Sequence, residues 1–148
     1  MIINRLSILV PAYNEEKTIA EVLKKLLDLK LPDGMEKEVI IVNDCSKDGT
    51  GKVIKEFIEL HQLSIFTGYD QPKNQGKGAA LHKAIALATG DYIVIQDADL
   101  ELDPNDILAL LKGLEQNNST VIYGSRFLND THKGTNFLWH IVDRKSTR

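Results

Sequence analysis

Apolar positions along the chain follow two rhythms. Unbroken apolar runs at Ser7–Pro11, Val39–Val42 and Tyr92–Ile95 lack polar alternation, the pattern of parallel strands buried on both faces. Between them lie three sets at helical spacing: Ile19, Val22, Leu23, Leu26 and Leu27; Val53, Ile54, Phe57 and Ile58; Leu81, Ala84, Ile85 and Ala88. Each marks one buried helix face. Weaker strands are expected at Ser64–Gly68 and Thr120–Tyr123, and a fourth helix over Pro104–Glu115. Asn14 is expected to cap the first helix, with Glu15 and Glu16 in its first turn and Lys24, Lys25 and Lys30 towards its end. Gly90 is expected to end the third. Strands alternating with helices predict an α/β fold, with a Rossmann-like, mainly parallel sheet and helices on both faces. Ligands then sit outside the carboxyl ends of the strands. Phe137, Leu138, Trp139, Ile141 and Val142 find no evident place in that sheet.

Composition narrows the class without naming a function. A chain of 148 residues, 43% hydrophobic and 26% charged, reads as one ordinary globular domain. Its net charge of −3 argues against nucleic acid as a partner, for which a basic stripe is expected. The single cysteine, Cys45, cannot form an intrachain disulfide and reads as a small loop residue. Leu6–Ala12 follows Arg5 but contains Pro11 and runs into Glu15 and Glu16, so it reads as a strand and not a signal peptide. Nowhere is there the run of roughly 18 apolar residues that a spanning helix needs.

The candidate chemistry gathers in loops that follow strands. After Tyr92–Ile95 come Asp97, Asp99, Glu101, Asp103 and Asp106, and no lysine or arginine lies between Ala84 and Leu111. Asp103 before Pro104 reads as a helix cap, with Asp106 in the acidic first turn. Asp97 and Asp99 precede that cap, and their spacing of two puts both on one side of an extended backbone. They are candidates for a hard divalent cation, Mg2+ or Mn2+, that would hold a substrate's phosphates. The alternative is a solvated acidic loop. The stretch NQGKG, from Asn74 to Gly78, offers backbone N–H groups and Lys77 to a phosphate, although it is not a Walker A loop and no GxGxxG follows the first strand. His61, His82, His132 and His140 lack metal-ligand spacing, and no serine nucleophile elbow or catalytic cysteine arrangement is visible.

Read together, LSILVPAYNEEKTI, EVIIVNDCSKDGT, NQGKGAAL, GDYIVIQDADLELDP and VIYGSRF resemble the family 2 glycosyltransferases of GT-A fold. The branch they resemble most contains dolichyl-phosphate mannose synthase and bacterial polyprenyl-phosphate glycosyltransferases. The matching stretches span Leu6–Phe127, in the family's order. The resemblance implies that Pro11, Ala12, Tyr13 and Glu15 line a nucleoside pocket and that Asp44 contacts the base. It places Lys77 near that pocket or the diphosphate, Asp97 beside the sugar nucleotide and cation, and Asp99 on the cation directly. Glu101 stands where relatives often carry a glutamine ligand. Arg126 is implied for the acceptor phosphate, with Arg144 as its helper.

The activity so implied is inverting transfer of a hexose from a nucleotide-diphosphate sugar, UDP-glucose or GDP-mannose, to a polyprenyl or dolichyl phosphate at the cytoplasmic face of a membrane. Residues 1–128 are expected to form the donor-binding catalytic core. Residues 129–148 are expected to begin an acceptor-side segment that is cut short or partly disordered. Two other readings stand beside it: a family 2 transferase with a glycan or other non-lipid acceptor, and a non-catalytic nucleotide-sugar-binding fragment. A phosphoacceptor receiver domain shares the alternating architecture, but Tyr13, Asn14 and Arg126 fit it poorly.

Overall fold

The computed structural model describes residues 3–32, 34–117, 119–125 and 138–143. In chain order the elements are β1 (Arg5–Ala12), α1 (Ile19–Asp28), β2 (Glu36–Asn43), α2 (Thr50–His61), β3 (Phe66–Asp70) and α3 (Lys77–Leu87). β4 (Tyr92–Ile95), α4 (Asp106–Asn117), β5 (Val121–Ser125) and β6 (Leu138–Asp143) follow. They build one six-stranded sheet in the order β3-β2-β1-β4-β6-β5. β1 pairs in parallel with β2 and β4, and β2 with β3. The apolar runs of β1 and β2 serve both faces, as their lack of alternation requires. Leu6, Ile8, Val10, Val39 and Ile41 share a core with α1, α2 and α4, whereas Leu9, Ile40, Val42 and Ile93 pack against Ala80 and Ala84 of α3 and Ala88 at its end.

The apolar run that found no place in the expected sheet is β6. It inserts between β4 and β5, antiparallel to both, with Ile141 opposite Val94 on one side and Ile122 on the other. Ile141 is fully buried. Consecutive strands usually neighbour one another in βα repeats, so the repeat itself gives no hint of a late strand returning to split β4 from β5.

Two punctuating residues do different work from that expected. Asn14 does not cap α1, which begins five residues later; its backbone is left-handed at φ 55°. Its side-chain oxygen accepts the Lys47 N–H at 2.8 Å, and its own N–H donates to Ser46 Oγ at 3.0 Å, so it joins the β1–α1 loop to the β2–α2 loop. Gly90 lies beyond the Ala88 C-cap of α3 and serves a close approach. A Cβ there would stand 2.8 Å from Ser7 N and 2.9 Å from Arg5 O. Asp103 Oδ1 accepts the Asn105 N–H at 3.0 Å and its carbonyl accepts the Asp106 N–H, so it starts the turn that leads into α4, which begins at Asp106 and not at Pro104.

Glu38 organises the end of the sheet opposite the strands' carboxyl ends. Its carboxylate accepts Ser7 Oγ, both Thr89 donors and the Gly90 N–H. Burial pushes its pKa up, and the hydrogen bonds from Ser7, Thr89 and Gly90 more than offset that, so the net direction is downward. A depressed carboxyl pKa stabilises the fold above the unfolded value, near 4.3, and that contribution is lost as pH falls through the folded value. Glu38→Gln is expected to cost about 1–2 kcal/mol at pH 7 through weakened bonds to a charged acceptor. In urea melts the gap to wild type should narrow below about pH 4; a gap independent of pH would contradict the assignment.

Candidate functional site

The carboxyl ends of β1, β2 and β4 open onto one cavity of about 450 Å³, lined by Pro11, Ala12, Tyr13, Glu15, Asp44, Asn74, Gly76, Lys77, Ala80, Asp97, Ala98 and Asp99. Each wall has its own support. The β1–α1 loop is held by the Asn14 bonds, by Glu15 N–H to Thr50 Oγ1 at 2.8 Å, and by Gly49 N–H to Glu16 Oε2 at 2.6 Å. Tyr13 stands at its edge with 41% of its surface exposed, an aromatic face open to a ligand.

Asp44, at the end of β2, is 2% exposed and holds the second wall together. Its Oδ1 accepts Gln71 Nε2 at 2.7 Å and the Gln75 N–H at 2.9 Å, and its Oδ2 accepts the Gly76 N–H at 2.7 Å. A carboxylate has about four acceptor positions, so one remains on Oδ2. Gly76 takes φ +90°, a conformation favouring glycine, and α3 starts immediately after it. The N-terminus of α3 and Lys77 therefore form the positive side of the cavity.

Asp97 and Asp99 form the negative side. Lys77 Nζ lies 2.5 Å from Asp97 Oδ1, so the acidic loop does have a neutralising partner. It comes from 20 residues upstream, not from the loop's own neighbourhood. Asp99 Oδ1 accepts the Glu101 N–H at 3.1 Å, and among the described residues no lysine or arginine pairs with Asp99.

Among the described residues no three His, Cys, Asp or Glu side chains form a ready-made metal cage. Two carboxylates facing a cavity nonetheless suit a hard cation of the Mg2+ type, which keeps several waters and takes substrate phosphate oxygens as ligands. The donor chemistry at Asp97 and Asp99 thus fits such an ion.

All seven residues expected at the donor, Pro11, Ala12, Tyr13, Glu15, Asp44, Lys77 and Asp97, line this cavity, as does Asp99. Glu101 is exposed and lies outside the lining. Arg126 and Arg144 fall outside the described residues. Ala80 and Ala98 also line the cavity and carry no chemical signal in sequence beyond small size. Gln96, a buried polar residue at the end of β4, is a further feature the motifs did not single out. Among the described residues no helix is long and apolar enough to cross a membrane.

Comparison with known proteins identifies the family and the fold. The model of glycosyl transferase family 2 matches residues 7–146. A dolichyl-phosphate beta-glucosyltransferase of Trichomonas vaginalis is 35% identical over 139 residues, covering 88% of this chain and 42% of its own length. Poly-beta-1,6-N-acetyl-D-glucosamine synthase of Staphylococcus epidermidis is 34% identical over 112 residues, covering 76% of this chain and 26% of its own. The structure resembles a mannosyltransferase from Pyrobaculum calidifontis solved with GDP-Man and Mn2+. There the TM-score is 0.70 at 31% identity, over 82% of this chain and 35% of that one. The chain belongs to glycosyl transferase family 2 and has the GT-A fold of nucleotide-sugar transferases. It spans half or less of the length of these relatives.

Proposed function

We propose that the cavity is the donor site of a cation-dependent hexosyltransferase that uses UDP-glucose or GDP-mannose. The observation that carries this reading is the convergence of Tyr13, Asp44, Lys77, Asp97 and Asp99 on one cavity from the β1–α1, β2–α2 and β4–α4 loops and the start of α3. Tyr13 offers a ring to the nucleoside, and the remaining acceptor position of Asp44 suits one N–H of the base. The α3 N-terminus and Lys77 attract the diphosphate. Asp99, with Asp97, would hold Mg2+ or Mn2+, which supplies Lewis-acid stabilisation of the leaving diphosphate.

The acceptor we propose is a polyprenyl or dolichyl phosphate, supported by the dolichyl-phosphate glucosyltransferase relative. The donor-binding core then comprises residues 1–128 together with β6 (Leu138–Asp143), which lies in its sheet, while the acceptor side begins with residues 129–148 and the acceptor phosphate is bound by Arg126 and Arg144. A phosphate monoester is ionised near neutral pH, so it needs positioning and charge neutralisation more than a general base. Attack from the face opposite the leaving group inverts the anomeric carbon. A glycan acceptor is the second reading, favoured by the similarity to poly-beta-1,6-N-acetyl-D-glucosamine synthase.

Incubation of the full chain with Mn2+, radiolabelled UDP-glucose or GDP-mannose, and polyprenyl phosphate in detergent separates the two. Label extracted with the lipid is the expected result. Label confined to added oligosaccharide would favour the second reading, and nucleotide binding without transfer to either would make this chain a nucleotide-sugar-binding fragment.

A further inference from the structure

We propose that Gln96 is the positioning residue of the acidic loop, its buried amide fixing the arrangement in which Asp97 and Asp99 face the cavity. The inference rests on the cation-dependent donor reading above and adds a residue outside the cavity lining. Gln96 is fully buried at the end of β4, and its N–H donates to Leu9 O at 2.9 Å, extending the β1–β4 pairing by one step. Its side-chain Nε2 donates to Asp97 O and to Leu102 O, both at 3.2 Å. Those carbonyls flank Ala98–Glu101 within the β4–α4 loop, so a single amide ties the two sides of that stretch together.

The orientation of that amide is dictated by its partners. Two carbonyl oxygens can be met only by the NH2 end, which turns Oε1 away, and among the described residues Oε1 has no hydrogen-bond partner. A buried acceptor left unpaired works against stability. Much of what the side chain contributes to the fold is thereby cancelled, while its hold on the loop is kept. Ala98 and Leu102 are buried in the core at 3% and 4% exposure, Ala98 also bordering the cavity between Asp97 and Asp99, and Asp99 is tied to Glu101 N–H. With Ala98 and Leu102 buried and the stretch between them tied on both sides to Gln96, Asp97 and Asp99 are held against the cavity that both line. Small displacements of such ligands weaken a metal site strongly.

Gln96→Met keeps the length and removes both donors and the orphaned acceptor. Three measurements are expected to part company. The melting temperature stays close to wild type; amide exchange across residues 97–103 accelerates roughly tenfold as the loop opens more often; and the gain in GDP or UDP affinity on adding Mn2+ falls roughly tenfold, with Mn2+-free affinity unchanged. An equal Mn2+ gain in both proteins would overturn the inference, as would equal weakening with and without Mn2+. If the methionine variant does not fold, Gln96→Asn, an amide one methylene too short to reach both carbonyls, must lower the Mn2+ gain in the same direction. No change in that variant would also overturn the inference. Wild-type nucleotide binding that ignores Mn2+ would instead remove the donor-site reading, and this inference with it.

Discussion

Asp99→Asn is expected to lower Mn2+-dependent nucleotide affinity by roughly a hundredfold or more, since changes to outer-shell partners alone already cost ten- to a hundredfold. The substitution is isosteric, and asparagine Oδ1 can still accept the Glu101 N–H that Asp99 now accepts at 3.1 Å. The loop should therefore keep its shape, leaving the lost charge as the cause. Melting temperature should change little, and nucleotide affinity without Mn2+ should stay near wild type, because Lys77 and the α3 N-terminus remain. Sugar transfer should fall at least as far as affinity, since charge on the diphosphate grows as the glycosidic bond breaks. Retention of the full Mn2+ effect in the variant would show that Asp99 does not hold the cation.

The second large effect is expected at Asp44. Alanine there leaves Gln71 Nε2, Gln75 N–H and Gly76 N–H without the acceptor that each now has within 2.9 Å. Bonds to a charged acceptor are worth about 1.5–3 kcal/mol each, and buried donors left unpaired add their own cost, so a loss of about 3 kcal/mol or more is expected. For a chain of this size that lowers the melting temperature by roughly 6–12 °C. Nucleotide affinity should fall as well, with and without Mn2+, because the wall leading into α3 loses its anchor. Asp44→Asn restores one side-chain oxygen but presents an NH2 group to donors, so it should fall between wild type and alanine. If Asp44→Ala melts like wild type, Asp44 does not organise this wall.

Much of this arrangement was legible from residue pattern alone, for identifiable physical reasons. β1, β2 and β4 announce themselves because burial on both faces demands unbroken apolar runs, and α1 shows its buried stripe in Ile19, Val22, Leu23 and Leu26. Residues following parallel strands, β3 included, must meet at one edge of the sheet, which is why Tyr13, Asp44, Lys77 and Asp97 group from the sequence alone. What escaped was non-local. The Lys77–Asp97 pair joins different loops, and β6 pairs with a strand more than forty residues earlier. The roles of Asn14 and Gly90 escaped for another reason. Each looks like local helix punctuation, yet each is set by a distant neighbour, Lys47 in one case and Ser7 in the other.

The central claim is that this cavity binds a nucleotide diphosphate together with a divalent cation. Calorimetric titration of the wild-type protein with UDP and with GDP, each in the presence and absence of Mn2+, tests it most directly. The expected result is binding of at least one nucleotide, roughly a hundredfold or more tighter with Mn2+. Binding of neither nucleotide, or binding that Mn2+ leaves unchanged, would contradict it.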